Sequence, residues 1–181
     1  MSQLLLDSPR LTVPVDSARD HVLGPDTASA TLLEYGDYEC PYCGRAHAVT
    51  KEVKRIRGDE LRFAFRHFPL TQAHPRAGQA AEAAEAAGAQ GMFWQMHDLL
   101  FQNQHALRLQ DLMTYAQMLG LDLDRFGADL QSHIHASRVR EDFLSGIRSG
   151  VNGTPTFFID DVRYNGSWDL QSLLAALQSA L

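Results

Sequence analysis

The sequence Cys40-Pro41-Tyr42-Cys43 contains both cysteines of the chain. The apolar run Leu32-Leu33-Glu34-Tyr35 and a turn-like Gly36-Asp37 precede it, and a helix-compatible stretch follows. This order predicts a strand, a loop and a helix that begins at the thiols, with Pro41 in its first turn. Unpaired N–H groups at a helix start favour a thiolate over a thiol. Because the thiolate is the attacking species in disulfide exchange, the pattern indicates redox chemistry.

Two other interpretations of the cysteine pair stay open at this point. An inert structural disulfide can have the same spacing, although no secretory signal is visible and a reducing environment is therefore expected. Cys40, Cys43 and His47 also form a C-x2-C-x3-H pattern, which offers three ligands to a zinc or iron-sulfur site. No further cysteine exists, so such a site needs another histidine from elsewhere in the fold.

A second stretch, Gly153-Thr154-Pro155-Thr156-Phe157-Phe158, places a proline at the start of a β-branched and aromatic strand. A sheet accepts proline at that position, and an X-Pro bond between loop and strand favours a cis peptide. Together with the CxxC motif, this stretch resembles the DsbA-like branch of the thioredoxin superfamily. The resemblance extends from about Asp20 and includes Asp20-His21-Val22-Leu23-Gly24-Pro25, Arg66-His67-Phe68-Pro69-Leu70 and Gln90-Gly91-Met92-Phe93-Trp94.

The resemblance implies an α/β thioredoxin-like fold and a thiol-disulfide oxidoreductase that acts on protein or peptide substrates. In this family a cis-proline loop faces the active-site cysteines, which places Thr154 and Pro155 opposite Cys40. The two sulfurs carry the electrons, so we expect no bound cofactor. A separate redox partner has to recycle the pair after each turnover, and nothing in the sequence identifies it.

The expected order of elements is β-α-β, a helical insertion, and β-β-α. Residues 1–28 are predicted as an N-terminal extension with one short strand, Leu11-Thr12-Val13-Pro14-Val15. Residues 29–73 and 149–181 form the predicted core, and residues 74–148 form the predicted insertion. Within the insertion, three- and four-residue spacing predicts a buried helical stripe. It consists of Phe93, Met96, His97, Leu100 and Phe101.

We assign roles to the candidate site residues as follows. Cys40, exposed at the helix start, is the expected nucleophile, and the shielded Cys43 is the resolving thiol. Glu34 interrupts an apolar central strand, six residues before Cys40, where thioredoxin-like proteins carry a buried acid. We interpret it as a proton acceptor for Cys43, the alternative being a partly exposed glutamate at a sheet end.

Substrate contacts are expected on both sides of the thiols. Tyr42 offers an aromatic face, with an ordinary surface tyrosine as the alternative. The backbone of Thr154 can pair with an extended segment, and Pro155 shapes the opposing wall. The Thr154 hydroxyl is expected near the sulfur, unless threonine is there only for its β-propensity. His47 is interpreted as a hydrogen-bonded helix histidine rather than as a ligand.

Composition excludes several classes of function. The chain has 181 residues, 45% of them hydrophobic and 21% charged, and a net charge of −6, which argues against nucleic-acid binding. A basic group at the end of the first helix, Lys51, Lys54, Arg55 and Arg57, is predicted to be a solvated helix end. No apolar run approaches the roughly 20 residues of a membrane span, so no membrane insertion is expected. Without a basic or long apolar leader the chain is predicted to be cytoplasmic, or exported if a signal has been removed.

Overall fold

The computed structural model describes residues 8–179, which contain five strands and seven α-helices. The strands are β1 (His21–Leu23), β2 (Ala30–Gly36), β3 (Leu61–His67), β4 (Thr156–Ile159) and β5 (Val162–Tyr164). The helices are α1 (Pro41–Arg57), α2 (Ala77–Gly88), α3 (Phe93–Gln102), α4 (Leu109–Met118), α5 (Leu123–Ser132), α6 (Ala136–Arg148) and α7 (Leu170–Ser179). A 3-10 turn, Gly58–Glu60, joins α1 to β3. After β1, the order β-α-β, five helices, β-β-α confirms the predicted thioredoxin-like α/β fold class.

All five strands form one mixed sheet in the order β1-β3-β2-β4-β5. The central strand β2 runs parallel to β3 and antiparallel to β4, with Glu34 opposite Phe65 on one side and Phe157 on the other. Such a strand is buried on both faces, which explains its nearly continuous apolar sequence. A carboxylate at Glu34 therefore lies in the middle of the sheet rather than at its end.

The strand predicted at Leu11–Val15 is wrong. Arg10 forms a single bridge with Val162, and Leu11 donates one hydrogen bond to Asp161, after which the chain leaves the sheet. The carbonyl groups of Val13 and Pro14 instead accept hydrogen bonds from the buried guanidinium of Arg66, at 2.8 and 3.0 Å. The short strand of this region is β1, which pairs antiparallel with β3.

The predicted buried stripe of α3 is confirmed, since Phe93, Met96, His97, Leu100 and Phe101 are all buried. Helix α2 packs against α3, and its buried alanines allow a close approach. Nε2 of His67 donates a hydrogen bond at 2.8 Å to the carboxylate of Glu85 in α2, which ties this helix to the end of β3. The helices between β3 and β4 are thus joined to the sheet by both apolar and polar contacts.

The two sequence motifs meet at one end of the sheet. Tyr35 near the end of β2 lies opposite Thr156 at the start of β4. The chain leaves β2 towards Cys40, and it enters β4 from Thr154 and Pro155. Because neighbouring antiparallel strands end and begin at the same edge, the CxxC motif and the Thr154-Pro155 loop face each other.

Candidate active site

The turn between β2 and α1 is organised by the buried carboxylate of Asp37. Its Oδ1 accepts hydrogen bonds from the backbone N–H groups of Glu39 (2.8 Å) and Cys40 (3.2 Å). Its Oδ2 accepts from the backbone N–H of Leu70 (2.9 Å) and lies 2.8 Å from Nδ1 of His74. One side chain therefore joins the start of the CxxC motif to the loop that follows β3.

The surroundings of His74, which contacts the Asp37 carboxylate, favour the protonated form of its imidazole. Burial opposes the charged imidazole, but the hydrogen bond to Asp37 and its negative charge outweigh burial and raise the pKa of His74. The charges of Cys40 and Glu39 raise this pKa further. A protonated His74 is thus favoured when Cys40 is a thiolate.

A second support comes from the loop after α3. The side-chain amide of Gln104 donates hydrogen bonds to the carbonyl oxygens of Tyr38 (2.9 Å) and Cys40 (2.7 Å). Gln104 approaches α1 so closely that a Cβ on Gly44 would lie 2.1 Å from its Oε1. The absence of a side chain at Gly44 therefore allows the amide to reach the active-site backbone.

Cys40 caps the N-terminus of α1 and Pro41 occupies its first turn, as predicted from the sequence. The backbone N–H of Gly44 donates a hydrogen bond to the Cys40 carbonyl at 3.1 Å, which begins the helix. Both cysteines are free thiols. Cys40 is less accessible than expected, with 4% of its surface exposed against 0% for Cys43. The Thr154 carbonyl oxygen lies 3.5 Å from its Sγ, on the side where the Thr154-Pro155 loop was expected, and it covers the thiol.

The two thiols differ strongly in acidity. A hydrogen bond from Cys43 is the largest cause that lowers the pKa of Cys40, from 9.0 to about 5. Hydrogen bonds from Thr154 and from the backbone N–H groups of Cys43 and Tyr42 lower it further, while burial opposes them. Burial raises the pKa of Cys43 well above 9.0, and the bond to Cys40 and the charge of Glu34 add to this. At neutral pH Cys40 is ionised and Cys43 is not.

The Thr154-Pro155 peptide bond is cis, and the loop lies beside both sulfurs. The Thr154 hydroxyl is buried and, within residues 8–179, makes no hydrogen bond of normal geometry, but it lies near enough to the thiols to lower the pKa of Cys40. The hydroxyl of Thr156 donates to the Gly153 carbonyl at 2.8 Å, which holds the loop at the start of β4. The loop is thus held with its hydroxyl close to the reactive sulfur.

Glu34 lies buried in β2, with 1% of its surface exposed. Burial raises its pKa from 4.5 to about 8; the positive charge of Lys54 opposes this, and Cys40 reinforces it. Its Oε1 has no hydrogen-bond partner in the described part of the chain. The alternative of a partly exposed glutamate at a sheet end is therefore wrong, and Glu34 is a protonated acid near neutral pH.

Lys54 corrects the interpretation of the basic end of α1 as wholly solvated. Its Nζ lies 4.5 Å from the ring centre of Phe63 and 5.6 Å from that of Trp94. Burial is the largest cause that lowers the pKa of Lys54. The charge of Lys54 acts on Glu34, and its side chain is partly buried, whereas Lys51 and Arg55 are exposed.

The surface around the thiols has an exposed aromatic ring and two cavities. Tyr42 is 55% exposed, with the Arg45 guanidinium 4.5 Å above its ring. A cavity of about 380 Å³ lies on the Pro41 side; it is lined by Glu39, Pro41, His74, Arg76, Gln104 and His105. A cavity of about 210 Å³ lies on the Pro155 side and includes Tyr164 and Trp168. Substrate segments can therefore approach from either flank.

His47 does not join the cysteines. Its ring stacks on Phe101 with centroids 4.9 Å apart, and its Nε2 lies 3.3 Å from Asp98 of α3. Among the described residues, the groups of side chains spaced for a metal ion contain neither cysteine. The C-x2-C-x3-H site proposed as an alternative is therefore not assembled by this fold.

Sequence reasoning missed Asp37 and Gln104. Asp37 carried a signal, because an aspartate between a strand and a helix is a typical capping residue. Gln104 carried none, since its target carbonyl groups lie more than 60 positions away in the chain.

Comparison with known structures agrees with this geometry. BdbD from Bacillus subtilis superposes with a TM-score of 0.82 at 21% identity, over 96% of each chain. A thioredoxin-like oxidoreductase from Silicibacter pomeroyi gives a TM-score of 0.79 at 26% identity, over 90% of this chain and 92% of that one. DsbA1 from Wolbachia pipientis gives 0.78 at 22% identity, over 94% of each chain.

The curated proteins that are similar in sequence are much longer than this chain. The Na(+)/H(+) antiporter NhaA 1 of Salinispora arenicola is 51% identical over 170 residues, which is 94% of this chain and 26% of the antiporter. The chain thus spans about a quarter of the length of the curated relatives it matches. No helix within residues 8–179 is long and apolar enough to cross a membrane.

The match to a family model covers nearly the whole chain. The family described as Thioredoxin matches residues 16–179, which include both cysteines, Glu34 and the Thr154-Pro155 loop. The structural neighbours superpose over more than nine-tenths of the chain, which includes the sheet and the helices between β3 and β4. The chain belongs to the thioredoxin family, with the fold of the DsbA proteins.

Proposed function

We propose that the chain is a thiol-disulfide oxidoreductase that exchanges disulfides with protein or peptide substrates through Cys40 and Cys43. The observation that supports this function most directly is that the pKa values of two neighbouring thiols are shifted in opposite directions. The pKa of Cys40 falls to about 5, and that of Cys43 rises well above its usual value. Disulfide exchange requires a reactive thiolate beside a protonated resolving thiol. A purely structural disulfide does not require this difference in acidity.

In the oxidising direction a substrate thiolate attacks Sγ of Cys40 in the Cys40–Cys43 disulfide. The S–S bond breaks, Cys43 leaves with the electron pair, and a mixed disulfide joins the substrate to Cys40. A second substrate thiolate then attacks the substrate sulfur of that mixed disulfide, and Cys40 leaves as a thiolate. The substrate gains a disulfide and loses two electrons, which the two enzyme sulfurs now hold, so no bound cofactor is needed.

Glu34 supplies the proton that this cycle needs at Cys43. Because the pKa of Cys43 is high, it leaves the disulfide as a strong base and has to be protonated inside the protein. Glu34 is protonated near neutral pH, and in its ionised form its negative charge raises the pKa of Cys43, so the two groups interact electrostatically. In the reverse step Glu34 accepts the proton when Cys43 attacks the mixed disulfide.

The favoured direction is oxidation of substrates. Interactions that lower the pKa of Cys40 stabilise the reduced, thiolate form of the enzyme relative to its disulfide. A stabilised reduced form makes a disulfide the stronger oxidant, since it accepts electrons more readily. A second protein or a small disulfide has to reoxidise the pair after each turnover by accepting its two electrons.

Substrates are extended polypeptide segments that lie against the Thr154-Pro155 loop. Pro155 places no N–H in the cleft, and added side-chain volume at Gly153 would meet open space, so an incoming backbone has room beside this loop. The exposed ring of Tyr42 offers an apolar contact on the opposite flank. Ion transport is not carried over from the antiporters, because this chain corresponds to about a quarter of their length and its site is a thiol pair.

The test uses a peptide with two cysteines and the oxidised protein. We expect stoichiometric oxidation of the peptide, loss of this activity in Cys40→Ser, and a trapped mixed disulfide at Cys40 in Cys43→Ser. Turnover that survives Cys40→Ser would refute the assignment. Equilibration with glutathione then measures the direction, and we expect a potential above the roughly −270 mV of thioredoxin.

A further inference from the structure

A second group of polar side chains lies away from the sulfurs, between α1 and α3. His47 of α1 and His97 and Asp98 of α3 each offer one donor atom, and the three atoms lie within 4.8 Å of one another. Two imidazole nitrogens and one carboxylate oxygen are a common set of ligands for Zn²⁺ and related ions. Such ions leave a further position to water when the protein supplies three ligands.

His47 is the second observation that points to a ligand. The residue is 5% exposed, and neither ring nitrogen makes a hydrogen bond of normal geometry within residues 8–179. Its Nε2 lies 3.3 Å from Oδ1 of Asp98 without the alignment of a hydrogen bond. A buried imidazole with two unsatisfied nitrogens is unfavourable, and coordination of a metal ion by one of them offsets part of that cost.

The other two ligands are held by neighbouring groups. The hydroxyl of Tyr38 lies 3.0 Å from Nδ1 of His97, which leaves Nε2 of His97 as the nitrogen available to an ion. The ammonium group of Lys51 lies 3.2 Å from Oδ2 of Asp98, which leaves Oδ1 available. Metal-binding histidines and carboxylates typically have such outer hydrogen bonds, because these orient the ligand.

Access to the cluster is open on one side. The side chain of Asp98 is 37% exposed, whereas that of His47 is 7% exposed, so an ion can enter past the carboxylate. The ring of Phe101 stacks on His47 at an interplanar angle of 24°, which fixes the orientation of the imidazole. The cluster is therefore both reachable and preorganised.

We propose that His47, His97 and Asp98 bind one divalent transition-metal ion of the zinc class, without sulfur ligands. Bound there, the ion fastens α1, the helix that begins at the active-site cysteines, to α3 of the helical insertion. The site holds this pair of helices together and takes no part in electron transfer. This site differs from the C-x2-C-x3-H pattern, because the two have only His47 in common and neither cysteine is a ligand here.

The test removes the thiols first, since a CxxC motif can bind zinc by itself. In the Cys40→Ser/Cys43→Ser protein, calorimetric titration with Zn²⁺ should give one ion per chain. Adding Asp98→Asn should weaken binding by more than the roughly 10- to 100-fold that loss of an outer partner costs. The matched control is Asp129→Asn, which removes a carboxylate 3.0 Å from Nε2 of His135 and should leave the affinity unchanged.

Two further measurements make the result decisive. Circular dichroism establishes that each variant is folded, and His47→Gln is a second ligand variant should Asp98→Asn unfold. Co²⁺ should give the absorption of nitrogen and oxygen ligands without a thiolate charge-transfer band. Zn²⁺ binding that disappears with the cysteines, or that is equal in the Asp98→Asn and Asp129→Asn proteins, overturns the proposal.

Discussion

Replacing Glu34 with glutamine should stabilise the reduced protein at neutral and alkaline pH. The carboxyl group is buried in the central strand, and burial raises its pKa from 4.5 to about 8. Between these two pH values the folded protein holds a proton that the unfolded chain releases. Stability therefore falls as the pH rises from about 4.5 to about 8, and glutamine, which is neutral and similar in shape, removes this loss.

The size of the effect follows from the shift in pKa. Raising the pKa from 4.5 to about 8 corresponds to about 5 kcal/mol, at roughly 1.36 kcal/mol for each tenfold change in acidity. The full difference between Glu34→Gln and the parent is reached above about pH 8. At pH 7 it amounts to about 3 kcal/mol, and below about pH 4.5, where both states are protonated, it vanishes.

Urea unfolding of the reduced proteins near pH 4, pH 7 and pH 9 measures this difference. Glu141→Gln, at an exposed position of α6, is the matched control for the loss of a carboxylate as such. We expect the unfolding free energies of Glu34→Gln and the parent to converge at the lowest pH and to diverge with rising pH. A constant difference across the range, or a parent that is more stable near pH 9, would show that burial does not raise the pKa of Glu34.

Three further predictions concern the thiols and their supports. Alkylation of the reduced protein should modify Cys40 with a midpoint near pH 5 and leave Cys43 unmodified, as mass spectrometry of the two sites can establish; equal rates would contradict the assignment. Thr154→Val should raise the pKa of Cys40, because the thiolate loses a hydroxyl donor, and the ultraviolet absorbance of the thiolate measures this; an unchanged midpoint would remove Thr154 from the site. Asp37→Asn should destabilise the protein by about 1–3 kcal/mol in urea unfolding, since four donors lose a charged acceptor, whereas the exposed Asp124→Asn should change little.

The parts of this structure that follow from the sequence are those set by local pattern. A strand, a turn and a proline-led helix around Cys40 can be predicted from neighbouring residues, and so can the buried stripe of α3. The failures come from distant partners. The segment Leu11–Val15 has the composition of a strand, but Arg66 of β3 takes its carbonyl groups, and no local pattern predicts that. Lys54 was misinterpreted for a similar reason, because its contacts with Phe63 and Trp94 come from other elements.

The exposure of Cys40 failed as a prediction for a different reason. A helix start predicts an accessible side chain, but the Thr154 carbonyl from a loop more than 100 positions away approaches the sulfur. Accessibility therefore does not separate the two cysteines, whose exposed fractions differ by only a few per cent. Hydrogen bonding and charge separate them instead, and the roles of Cys40 and Cys43 as nucleophile and resolving thiol rest on acidity.

The helical insertion does more than enlarge the core, because it supplies part of the support for the reactive thiol. Gln104, in the loop after α3, holds the carbonyl oxygens of Tyr38 and Cys40, and its reach depends on Gly44. These two carbonyl groups belong to the segment that leads from β2 into α1. If the end of α3 moved, Gln104 would pull on this segment and change the orientation of the backbone N–H groups that stabilise the Cys40 thiolate. The position of the insertion and the acidity of Cys40 are thus coupled through one amide. A metal ion between α1 and α3 would also affect the acidity of Cys40, since it would fix the helix that ends just before Gln104.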